Sequence, residues 1–210
     1  MNLKKLLINS SLALCCLISS AAAADLERMD AEVAKQYGKI ISELFAKDLK
    51  DAAITFEVDP DLTTGLHAEN EGIMIVPMKG MKEGEINPDV EKEHGGGLCY
   101  LFLSPSYKPH ADGAPIDPAK LLSVKFQDEE GNTHEALAMI VTVKHEGGDD
   151  WRLYAFGKEK TPLIKSPFGI ANGTSKGIVD IGVDSPKDGK ANLTFTLVGR
   201  YSAAFPITVK

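Results

Sequence analysis

The stretch VDIGVDSPKDGKANLTFTL, residues 179–197, carries the fold assignment. Val179, Ile181 and Val183 alternate with Asp180, Gly182 and Asp184. After a turn-forming run, residues 185–189 (Ser-Pro-Lys-Asp-Gly), Leu193, Phe195 and Leu197 alternate with Thr194, Thr196 and Val198. A period of two places one side chain in a core and the next in water, which is the signature of a half-buried strand. Two such segments joined by a short turn predict antiparallel neighbours.

Working outward, the same period recurs at Ile54, Phe56 and Val58, and at Leu122, Val124 and Phe126. Uninterrupted apolar runs at 73–76, 98–103 and 137–143 read as central strands buried on both faces. Turn signals separate them: Asn70-Glu71-Gly72, Glu130-Gly131-Asn132 and Gly147-Gly148-Asp149-Asp150. Residues 104–120, rich in Pro and Ala, read as a long surface connection crossing between two sheets. The expected fold is mainly β. It is an antiparallel sandwich of the immunoglobulin or transthyretin kind, with about seven to nine strands.

One helix is expected, over residues 26–50. Leu26, Met29, Val33, Tyr37, Ile40, Leu44 and Phe45 recur at helical spacing, with Asp30, Glu32, Lys35, Lys39, Glu43 and Lys47 opposite. Asp25 is placed to cap it. The stripe suits a helix packed on the domain; a partner-binding or coiled-coil helix is the alternative.

Residues 1–24 read as a secretory signal peptide cleaved after Ala24. Lys4 and Lys5 precede a short apolar run, and small residues close it. That run is too short to span a membrane. Leu14 before Cys15 argues against a lipoprotein anchor. The expected organisation is therefore a leader at 1–24, a packed helix at 25–52 and a sandwich at 53–210. The localisation expected is periplasmic or secreted.

Cleavage leaves 186 residues, with 21 basic against 30 acidic, a net charge of −9. Such a chain repels phosphate backbones, so nucleic acid is excluded as a partner. Only Cys99 remains after cleavage, so no internal disulfide forms.

The chemistry-bearing candidates are few. His94-Gly95-Gly96-Gly97 matches an esterase oxyanion loop, and Gly173-Thr174-Ser175-Lys176-Gly177 matches G-x-S-x-G. That elbow needs a strand before the serine and a helix after it; here an alternating strand follows. All five histidines precede Ser175, against the order that fold requires. A phosphate loop opens a helix, whereas these glycines open a strand. Cys99 sits among leucines, a poor place for a nucleophile.

A metal reading draws on His67, His94, Glu91, Glu93, Met78 and Met81, a donor set suited to copper or zinc. A carbohydrate reading draws on Trp151 and Tyr107. The stretch EKEHGGG, 91–97, is expected to be a mobile acidic loop feeding a strand. The function expected is non-catalytic binding of a protein or cell-envelope component, without a cofactor. Metal or carbohydrate binding are the alternatives.

Overall fold

A computed structural model describes residues 26–49, 52, 54–69, 71–82, 88–127, 131–171 and 177–209. The leader expected at 1–24 lies outside the described residues, as do Asp25 and Ser175. The strands in chain order are β1 (Glu27–Arg28), β2 (Thr64–Ala68), β3 (Glu71–Pro77), β4 (Gly96–Leu103), β5 (Lys108–Ala111), β6 (Ala114–Pro115) and β7 (Leu122–Gln127). Then come β8 (Thr133–His145), β9 (Trp151–Phe156), β10 (Ile164–Pro167), β11 (Gly169–Ile170), β12 (Val179–Val183), β13 (Lys190–Leu197) and β14 (Tyr201–Thr208). One helix, α1 (Ala31–Asp48), lies between β1 and β2.

The strands form two antiparallel sheets. The larger runs β1-β2-β3-β4-β8-β9-β10, and the smaller runs β12-β13-β14-β5-β6 with β11 added beside β14. The opening stretch is the β12–β13 hairpin: Val179 pairs with Leu197 and Val183 with Leu193. Its turn places Asp188 and Gly189 at φ of 51° and 70°. The 104–120 connection does cross between sheets, carrying β5 and β6 into the smaller one before β7 returns to the larger. The described strands number fourteen, more than alternation suggests. Part of the surplus lies in β1, β6 and β11, two-residue ladders too short to show a period, and part in the short strands β5 and β10.

β8 organises the larger sheet. Its residues Leu137 to Val143 pair with β4 on one side. On the other side Thr133 to Ala138 pair with β7, and Ile140 to His145 with β9. Both faces of this sheet are covered. Ile73, Ile75, Leu101, Met139 and Val141 meet Leu193, Phe195, Phe205 and Ile207 of the smaller sheet. Met74, Val76, Tyr100, Phe102 and Ile140 meet Ile41, Phe45 and Leu49 of α1. This double cover explains why β4 reads as unbroken apolar sequence. Phe45 stands edge-on to Tyr100 and Phe102, each with centroids 5.1 Å apart. A bulge between Gly97 and Cys99 places Leu98 in the inter-sheet core beside Cys99, although simple alternation sets them on opposite faces.

The helix begins later than expected, because residues 27–28 pair with β2 instead. Asp30 is the cap, its carboxylate accepting from the amides of Glu32 and Val33 at 3.0 and 3.3 Å. Its buried face is Ala34, Gly38, Ile41, Ser42, Phe45 and Leu49. Ser42 satisfies its hydroxyl on the Gly38 carbonyl at 2.6 Å. Thus the helix is rotated relative to the expected stripe, and Val33, Tyr37 and Ile40 face outward.

Residues 54–58 are extended but form no ladder, only an isolated bridge from Val58 to Met78. They lie across the outer face of the larger sheet. Phe56 stacks on Tyr100 at 4.7 Å, and the Tyr100 hydroxyl accepts from the Phe56 amide (3.1 Å) and donates to its carbonyl (2.7 Å). Side-chain packing on the sheet, with backbone bonds from Lys79 to the Glu57 carbonyl and from Asp59 to the Pro77 carbonyl, gives these residues their alternation. At the opposite edge, Arg28 ties the sheets by pairing with Asp180 and donating to the Ile181 carbonyl at 3.0 Å. No helix among the described residues is long and apolar enough to cross a membrane.

Candidate functional site

The EKEHGGG stretch is not the mobile loop expected. A 3-10 turn (Pro88–Glu91) leads into it, and the chain is then fastened at several points. The Lys144 ammonium donates to the carbonyls of Glu91 (3.1 Å) and Lys92 (2.6 Å), and the Thr142 hydroxyl to that of His94 (2.6 Å). Gly95 has φ +75°, and a Cβ there would stand 2.4 Å from the Val143 carbonyl oxygen. At Gly97 a Cβ would stand 2.6 Å from the Phe56 ring. Gly95 and Gly97 are required by close packing, not by flexibility.

The candidate metal ligands are dispersed into separate contacts. Glu91 hydrogen-bonds the Nδ1 of His145, which removes it from the set. Glu93 is 87 % exposed and 3.9 Å from the His94 Nε2. His94 itself stands edge-on to Phe156, with centroids 5.7 Å apart. His67 is half-buried on β2, opposite Gly72. Met78 packs beside Gly97, and Met81 against the inter-sheet core. Among the described residues no three of His, Cys, Asp and Glu converge.

The candidate sugar contacts are also structural. Tyr107 is buried in the inter-sheet core at 4 % exposure, which corrects its placement on an exposed loop. The turn before β5 folds it inward, and burial pushes its phenol pKa up. Trp151 is half-buried, packs partly on the same core and stacks on the His145 ring at 4.4 Å. One face of the indole is thereby occupied. Cys99 is fully buried and its thiol pKa is driven up by desolvation, far from a reactive thiolate.

A cleft of about 170 Å³ lies where β5, β10 and β14 meet, with His110, Asp112, Ser166 and Ala204 on its walls. Two of its polar groups already have hydrogen-bond partners. His110 is buried and its Nε2 is 2.8 Å from the Thr208 hydroxyl, while Ser166 donates to the Ala204 carbonyl at 2.7 Å. Alternation gave no hint of this cleft, since His110 falls in the Pro-rich connection.

What stands uncovered is apolar. Val33, Tyr37 and Ile40 are 41, 55 and 56 % exposed, and Leu44 beside them is half-buried. Their spacing of four, three and four keeps them on one strip of α1, about 100° around from the buried face. A second pair, Ile170 and Tyr201, sits exposed where β11 meets β14.

The architecture is thus a two-sheet antiparallel sandwich with a helix on its outer face. No family model, no curated protein and no solved structure matches the chain.

Proposed function

We propose that this chain is an exported, non-catalytic binding protein whose helix α1 receives an amphipathic helix of a protein partner. The observation that carries the reading is the uncovered strip of Val33, Tyr37 and Ile40. A helix packed only on its own domain has no reason to hold apolar side chains outward at seam spacing. Lys47 continues the strip beyond Leu44, Glu32 and Glu43 lie further round the helix, and Lys35 and Lys39 beyond them are held by Asp61 at 3.1 and 3.6 Å. Support for binding over turnover comes from the engagement of Cys99, His110, Ser166 and His145 in packing or hydrogen bonds. Export rests on the residue pattern of positions 1–24.

The test is site-specific photo-crosslinking in the native host, with the probe replacing Tyr37 and, as control, exposed Lys187. A discrete adduct to a different protein from position 37 alone supports the proposal. Equal adducts from both positions, none from either, or an adduct only to a second copy refutes it.

A further inference from the structure

His145, the last residue of β8, joins two segments far apart in sequence. Its Nδ1 meets the Glu91 carboxylate, and its Nε2 lies 2.9 Å from the Gly148 carbonyl oxygen. A carbonyl oxygen only accepts, and so does an ionised carboxylate. Both contacts are hydrogen bonds at once only if both ring nitrogens carry protons. The geometry therefore holds the imidazolium. Trp151 stacks on the ring with planes 21° apart, and the side chain is 20 % exposed. Losing the Nδ1 proton turns a lone pair toward the carboxylate and attraction becomes repulsion, while Nε2–H keeps its bond to the Gly148 carbonyl; losing the Nε2 proton would break the Gly148 contact instead.

We propose that His145 is a proton-operated latch: charged, it pins the 88–94 segment to the β8–β9 turn, and neutral, as the Nε2–H tautomer that keeps the Gly148 bond within its own turn, it releases Glu91. The neighbouring charges are consistent with this. Glu91 faces the ring from the 3-10 turn. Asp150 faces it from the β8–β9 turn and is itself gripped by the Arg152 guanidinium at 2.9 Å. Glu146, next in the chain, is taken by the Tyr154 hydroxyl. Lys144 is the one opposing cation on β8, and its ammonium is turned to the carbonyls of Glu91 and Lys92. The Glu91 contact first, then the Gly148 contact, hold the imidazolium pKa above the ordinary 6.5, against desolvation and Lys144.

The sign follows from linkage. A group whose pKa is raised in the closed form contributes fully at pH below its open-form value, and the contribution is lost as pH rises through the closed-form value. Closed, Glu91 is neutralised by the imidazolium. Open, it joins the exposed Glu93 as an uncompensated carboxylate. The switch thus changes the charge displayed at this end of the sandwich and leaves the strands in place.

The experiment is an NMR titration of the His145 imidazole in the whole mature protein, with amide exchange of residues 88–94 measured over the same range. Glu91→Gln is run in parallel. The expected midpoint lies above 6.5 and falls in the variant. Exchange protection of 88–94, corrected for intrinsic pH dependence, should drop about tenfold for each unit by which the midpoint exceeds that of the variant. A midpoint at or below 6.5, or protection that ignores pH across the measured midpoint, overturns the latch.

Discussion

Gly38, in the middle of α1, lies against Thr63: a Cβ at position 38 would stand 2.0 Å from the Thr63 hydroxyl oxygen and 2.8 Å from its Cβ. The helix comes closest to the turn before β2 where its side chain is smallest. Gly38→Ala raises helix propensity by about 1 kcal/mol, but it must push apart a helix and the turn beneath it. Overpacking of that kind costs roughly 1–3 kcal/mol, so the substitution should be net destabilising or neutral in urea denaturation. A stabilised variant would show that the helix does not sit this close.

The helix should also divide into two energetic halves. Phe45, 1 % exposed between Tyr100 and Phe102, should cost about 3–5 kcal/mol on truncation to Ala. Val33→Ser and Ile40→Ser, on the uncovered strip, should stay within about 0.5 kcal/mol of the parent. Denaturation midpoints at constant m-value measure both. Equal losses on the two faces would mean that the strip is already covered.

Tyr100→Phe keeps the ring stacks and deletes the hydroxyl that both accepts from and donates to Phe56. The expected loss is about 1–3 kcal/mol, the cost of leaving a part-buried amide unpaired. Hydrogen exchange should localise the loosening to residues 54–58, which have no ladder of their own.

Cys99 predicts the alkaline behaviour. The folded thiol pKa is raised from 9.0 by burial, so the protonated form is favoured in the native state. Its contribution is therefore complete below pH 9.0 and declines above it. Between the unfolded and folded values the decline is about 1.4 kcal/mol per pH unit. Denaturation at pH 8, 9 and 10 should show it, and Cys99→Ala should flatten that slope while costing core volume. In the native protein a thiol reagent should react only at the rate of unfolding.

Much of the sandwich could be read in one dimension. The β12–β13 hairpin, the strands β3, β4, β7 and β8, and the crossing at 104–120 all follow from side-chain period and turn residues, because those are local properties of the backbone. The helix was visible as a helix, but its buried face was not. Leu26 and Met29 entered the expected stripe although the chain there pairs with β2, and the true contact face includes Gly38 and Ser42, which carry no apolar signal. The site candidates fared less well. Residue type marked Glu91, His94, Trp151 and Tyr107 as chemically able, yet the contacts that occupy them come from elsewhere in the chain.

The alternation of 179–197 and the unbroken apolar run of 98–103 were set by the amino acids alone, since a strand exposes its period wherever it lies. Whether Tyr107 faced water or core, whether the glycines at 95–97 were slack or packed, and that Glu91 would meet His145 across 54 positions were decided only in three dimensions. Such contacts depend on which surfaces the sheets and the helix bring together, and that is a property of the whole chain's burial and not of any window along it.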